Sequence, residues 1–305
     1  MKKLFLLLTL TTFFTNLHAQ EEYGEFLDNA IEAAAKYDID NYNINLKYFV
    51  TALERDKVTP ETLPEMFYDK YLKCISTGFL YEIDLSEEFK QTVLEFAEYG
   101  AEKQNADAMY ILGFLYNDRR SVPKDEEKSA HWYQKAADNG NPDAMDVIAA
   151  YYREGAFGFK NDAKKAKYWS DKALEIFMER AKAENEQNDL TLLGIGSHYL
   201  ALQNYEEARK WFKKLADREN IMGLSYMAFS YMAQAWYNNG GTEELDQSIS
   251  WARKAAEKGQ PTGMMALGIL MYLKGDREEA LEWLEKSCNL GNQMGCEMYG
   301  AFKGK

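Results

Sequence analysis

Few side chains in this 305-residue sequence are of the types that do covalent or metal chemistry. There are three cysteines and three histidines. Cys288 and Cys296 stand close together in KSCNLGNQMGC, a pair of thiols that oxidation could join, and Cys74 is left over. His131 and His198 lie far apart, without the spacing that sets two imidazoles on one helical face around a metal. Ser121-Val122-Pro123-Lys124 fits the Ser-x-x-Lys pattern. That pattern activates a serine when Ser opens a helix and the Lys amine lies one turn on. No Ser-Asp-Asn or Lys-Thr-Gly accompanies it, and a turn between two helices explains it better. Gly194-Ile195-Gly196 lacks the third glycine and the preceding strand of a dinucleotide fingerprint. Asp38-Ile39-Asp40-Asn41-Tyr42 begins like a calcium loop, but Tyr42 and the missing glycine spoil it. Neighbouring carboxylates such as Glu206 and Glu207 read as solvated helix charges. No catalytic residue, metal site or cofactor is therefore expected.

Charge and composition narrow the function further. The formal net charge is −13, from 36 Lys+Arg against 49 Asp+Glu. A nucleic-acid binder needs a basic face to displace counterions, so no nucleic-acid partner is expected. Five prolines in this length leave few helix breakers. Residues 1–19 have the layout of a secretory signal: Lys2 and Lys3, then an apolar run from Leu4 to Phe14, then Ala19 at a cleavage point. The run is shorter than the ~20 residues that span a bilayer. The expectation is an exported chain, periplasmic or secreted, soluble after signal removal, with a retained anchor as the alternative. Loss of the two lysines deepens the net charge to −15.

The elements that must position anything functional are written in tryptophan. Five of the six Trp share one frame: Trp132, Trp169, Trp211, Trp251 and Trp283. Three residues before each stands a small residue (Ser129, Ala166, Ala208, Ser248, Ala280), and three after each a lysine (Lys135, Lys172, Lys214, Lys254, Lys286). The spacings of 37, 42, 40 and 32 residues are those of a stacked helical repeat. Between them runs a second column of small residues: Gly113, Ala149, Gly196, Ala228, Gly268 and Gly300. A large residue precedes each, a small one lies five earlier, and Tyr116, Tyr152, Tyr199, Tyr231 or Met271 stands three later. The resulting offsets of 3, 4 and 8 share one helical face, where small residues let a neighbouring helix approach. Each unit thus reads as a helix A bearing the small column and a helix B bearing Ala-x-x-Trp-x-x-Lys. Gly140, Gly259 and Gly291 suit left-handed ends of helix B, and Pro142 and Pro261 suit the first turn of helix A.

Segments such as EKSAHWYQKAADNGNPDAM and SWARKAAEKGQPTGMMALG resemble Sel1-like repeats, relatives of the tetratricopeptide repeats. GSHYLALQNYEEARKWFKKLA is closer to a tetratricopeptide unit. The resemblance covers about residues 90–303 and departs at 153–190, where the loop GAFGFKN lengthens one unit; Phe96 marks a degenerate helix B. It implies an all-α fold, a right-handed superhelix of αα-hairpins. The expected organisation is a signal peptide (1–19), an N-terminal helical cap (20–86, helical over 24–37, 42–56 and 61–77) and the repeat solenoid (87–305). A separate small helical domain is the alternative for 20–86.

In that frame Cys288 lies on helix B and Cys296 on the next helix A, so a hairpin turning at Gly291 would bring them to bonding range. The bridged repeats of cysteine-rich Sel1-like proteins imply the same pairing, and two buried free thiols are the alternative. Cys74 is expected to be buried, and His131 to face solvent. By analogy with tetratricopeptide units, helix A lines a concave binding groove. This implies Tyr110, Phe114 and Asn117; Asp146 and Arg153; Leu193, Ser197 and Leu200; Ser225, Phe229 and Met232; and Met265, Ile269 and Tyr272. The competing reading is that these residues are core. Trp236, outside the repeat frame, is the best candidate for a partner-exposed aromatic. The function implied is a non-enzymatic scaffold for a protein or peptide. The same resemblance offers a β-lactam or peptidoglycan-fragment binder, or weak hydrolase, resting on Ser121 and Lys124. A third reading is a structural subunit of an envelope complex.

Overall fold

The computed structural model describes residues 22–33, 39–80, 87–117, 123–237 and 241–304. The signal-like segment, Asp38 and Ser121 lie outside them. The described residues form fifteen helices and no strand: α1 (22–33), α2 (Ile39–Asp56), α3 (Glu65–Leu80), α4 (Glu87–Glu102), α5 (Ala106–Asn117), α6 (Glu126–Asp138), α7 (Pro142–Glu154), α8 (Ala163–Ala183), α9 (Asp189–Ala201), α10 (Tyr205–Ala216), α11 (Ile221–Tyr237), α12 (Thr242–Glu257), α13 (Pro261–Lys274), α14 (Arg277–Asn289) and α15 (Gln293–Lys303). The chain divides into two compact units, Met1–Ala173 and Leu174–Lys305, with the division inside α8.

The first unit opens with an aromatic core. Tyr23 of α1 meets Phe49 of α2 edge-on at 5.8 Å and Phe67 of α3 at 6.0 Å. Phe49 stacks on Tyr71 at 5.2 Å, and Tyr71 meets Phe96 of α4 at 4.9 Å. Such ring pairs add to the burial of their large apolar area. Tyr68 ties the same helices by donating its hydroxyl to the Phe96 carbonyl at 2.5 Å. The helices expected over 42–56 and 61–77 are thus α2 and α3, each shifted by a few residues. Helices α5 and α6, then α6 and α7, pack in sequence order.

The second unit continues the same plan, α9 to α14 packing each on the next and α15 on both α14 and α13. Local chemistry sets the ends of these helices. Pro142 and Pro261 occupy first turns, where a missing N–H costs nothing. Gly140, Gly259 and Gly291 have φ of 93°, 91° and 86°, the left-handed turn that leads out of helix B. A carboxamide column also starts the A helices: Asn105, Asn141, Asn188, Asn220, Gln260 and Asn292 each accept a backbone N–H of the first turn.

The two sequence columns have physical causes. A Cβ added to Gly113 would come within 2.7 Å of the Tyr133 ring, and one on Gly268 within 2.6 Å of Leu284. In both cases the neighbour is the residue directly after the frame Trp, so the small column is where helix B meets its own helix A. The small residue three before Trp adds a bond there in two units. Ser129 Oγ donates to Gly113 O, and Ser248 Oγ to Ala228 O, each at 2.8 Å. The lysine column lies over the indoles: Lys135 on Trp132 (4.9 Å), Lys172 on Trp169 (5.4 Å), Lys214 on Trp211 (3.9 Å), Lys254 on Trp251 (4.1 Å) and Lys286 on Trp283 (4.2 Å). An ammonium over an indole face is attracted by the ring quadrupole.

Candidate functional face

Among the described residues, those of chemically useful type stand on different elements. Lys124 sits before α6 rather than one turn inside a helix. Its amine pairs with Glu126 at 2.5 Å and lies 5.8 Å from the Phe157 ring centre. Lys124 is therefore not on a helix, while Ser121 lies outside the described residues. Gly194 and Gly196 lie within α9, their missing side chains filled by the rings of Phe177 and Phe212. Tyr42 of the calcium-like stretch is fully buried within α2. His131 is exposed as expected, and His198 is buried against Tyr199. Among the described residues, no group of three or more His, Cys, Asp or Glu is placed to hold a metal ion.

The cysteines divide as the repeat frame implied. Cys288 at the end of α14 and Cys296 in the first turn of α15 are joined, with Cα atoms 4.5 Å apart. Both are half-buried. Cys74 is free and buried, and burial pushes its thiol up to about 12.

The residues expected along helix A fall into several environments. In the first unit Tyr110, Phe114 and Asp146 are half-buried, while Asn117 and Arg153 are exposed. Tyr110 lies 5.5 Å from the Tyr133 ring. In the second unit Leu193 is 2% exposed and belongs to the core, so it presents no surface to a partner. The cause is that α9 also buries Leu192, Ile195 and His198, and is apolar around more than one face. Ser197, Leu200, Ser225, Met232, Met265, Ile269 and Tyr272 are half-buried. Ser225 donates to Gln260 Oε1 at 2.6 Å, which links α11 to the start of α13. Tyr272 carries the ring of Phe302 stacked on it, centroids 3.8 Å apart.

Of the apolar residues expected to face a groove, the exposed ones lie on α11. Phe229 is 48% exposed and Trp236 is 79% exposed. With Met232 between them they occupy one helical stripe, at offsets of three and four residues. No charged residue occurs anywhere in α11, and α13 carries only Lys274. At 17 residues α11 also outruns the 13 of α9 and the 14 of α13, and its last turn carries both Trp236 and the exposed Tyr237. An uncharged apolar stripe left in water is the kind of surface that association covers. The carboxamide column was not anticipated from sequence. Its signal is an Asn or Gln eight residues before each small residue of the A helices.

A family model described as Sel1 repeat matches residues 106–141, 142–175, 192–220, 228–260 and 261–292. The "Sel1-repeat-containing protein YjcO" of Escherichia coli strain K12 is 25% identical over 217 residues, covering 65% of this chain and 85% of its own length. The "ERAD-associated E3 ubiquitin-protein ligase component HRD3A" of Arabidopsis thaliana is 43% identical over 60 residues, 19% of this chain. The chain spans only 9% of that plant protein's length. Among solved structures, a Sel1 repeat protein from Oxalobacter formigenes is 20% identical with a TM-score of 0.42, covering 72% of this chain and 91% of its own. A tetratricopeptide repeat protein from Parabacteroides merdae is 15% identical with a TM-score of 0.48, covering 93% and 99%. No helix among the described residues is long and apolar enough to cross a membrane.

Proposed function

The chain belongs to the Sel1-repeat family, whose members usually serve as protein–protein interaction scaffolds, and from that premise we propose that it is an exported, non-enzymatic scaffold that binds a protein or peptide along the A helices of its second unit. The observation that carries this reading is the uncharged stripe of α11, with Phe229 and Trp236 left in water. Met232 on α11, Met265 and Ile269 on α13 and Leu200 on α9 extend the apolar surface. Methionine and aromatic side chains adapt to varied partners, so a helical or extended apolar segment suits this face. In this reading helices α1 to α3 cap the repeats, and the chain enters an oxidising compartment in which the Cys288–Cys296 bond forms.

The test is affinity capture from envelope extracts with the mature protein, beside a Phe229→Ala/Met232→Ala double variant. Partners captured by the wild type are expected to be lost from the variant, whose unfolding temperature falls because Met232 also packs on the core of this unit; a Phe229→Ala single variant should weaken capture with unfolding close to wild type. An unchanged set of captured proteins overturns the assignment of this face. Incubation with a fluorescent penicillin addresses enzymatic chemistry: stoichiometric labelling that disappears in Ser121→Ala would replace the scaffold reading by a covalent one.

A further inference from the structure

The last helix is attached differently from those before it. Helix α13 buries seven residues, whereas α15 buries only Gly295. Met294 is 57% exposed, and a Cβ on Gly300 would meet nothing within 4 Å. An isolated helix of this length is marginal in water, so its attachments decide whether it stays formed. Besides its packing along α14, with Gly295 against Ser287, two specific attachments hold it. At its first turn Cys296 is bonded to Cys288. At its far end Phe302 stacks on Tyr272, and Arg277 donates to the Phe302 carbonyl at 3.0 Å. Between them Tyr299 donates to Glu285 at 2.7 Å on an exposed surface, a contact that water competes for.

We propose that the Cys288–Cys296 bond is a reducible latch: opening it by a dithiol releases α15 and bares Tyr272 on α13. The exchange balances within the two reactants. The S–S bond of the protein breaks, one forms in the dithiol, and the two protons of the dithiol end on the Cys288 and Cys296 sulfurs. Both cysteines are half-buried and so within reach of a reductant. The buried Cys74, held protonated, supplies no thiolate to compete.

Amide hydrogen exchange on the full mature chain, oxidised and then reduced with dithiothreitol and alkylated with iodoacetamide, tests the latch. Removing the closure of so short a loop should speed exchange in residues 293–303 by on the order of 50-fold, with α13 nearly unchanged. Phe302→Ala with the bond intact should loosen only the last turn, about residues 299–303. Unchanged exchange in α15 after reduction overturns the proposal. So does exchange that rises together across the second unit, which makes the bond a general staple. Release of the whole helix by Phe302→Ala alone also overturns it. None of these readouts uses a partner, so failure of the binding-face assignment leaves them standing, and failure of the latch leaves the capture experiment standing.

Discussion

At the scale of single residues, the glycines separate sequence pattern from physical need. Gly268 and Gly300 occupy the same column, yet a Cβ on Gly268 meets Leu284 at 2.6 Å and the Ala280 carbonyl at 3.0 Å, whereas one on Gly300 meets open space. Gly268→Ala should therefore cost about 1–3 kcal/mol through overpacking, while Gly300→Ala should gain up to about 1 kcal/mol of helix propensity. Urea unfolding of the two variants checks this, and equal effects would mean that the column is not a packing column. The column itself was legible in the sequence, because close helix approach selects small residues at fixed spacing. The lysine column was legible only as spacing. Its cause, an ammonium over each frame indole, depends on χ angles that no pattern of residue types contains. The carboxamide caps went unread for a related reason: a cap is a single position outside the amphipathic stripe, so periodicity does not reveal it.

At the scale of elements, α1 is tied to α2 by a polar corner as well as by rings. Tyr23 donates to Asp56 at 2.7 Å, and Arg55 bonds both Asp56 and Glu22. The Arg55 guanidinium and the Tyr23 hydroxyl hold the Asp56 carboxyl below its usual value. A carboxyl lowered in this way favours the fold above its unfolded pKa of ~4, and that support fades as pH falls through the lower folded value. Asp56→Asn should therefore be less stable than wild type near neutral pH, and the gap should close as pH falls below ~4 through the lowered folded value. A gap that persists in acid would mean that the carboxylate charge is not what matters at this corner. Helix positions were read from the sequence within a few residues, since α2 and α3 follow clear apolar periodicity. Leu193 departs from the groove offsets because those presuppose a helix with a single apolar face, and α9 buries more than one.

For the molecule as a whole, stacked helix pairs make stability a sum of local terms, and a change at an exposed position should stay local. Trp236→Ala removes the most exposed large apolar side chain among the described residues without touching the core. Its unfolding free energy should lie within about 0.5 kcal/mol of wild type, while partner capture falls. A stability loss well beyond that would place Trp236 in the packing rather than on a binding face. The same residue gives the molecule an optical property of its own. Five indoles lie against their helices beneath an ammonium group, while the sixth stands in water. The red edge of the protein's fluorescence should accordingly come from Trp236, so a partner that covers it would announce itself as a blue shift and a loss of acrylamide quenching, with no label attached.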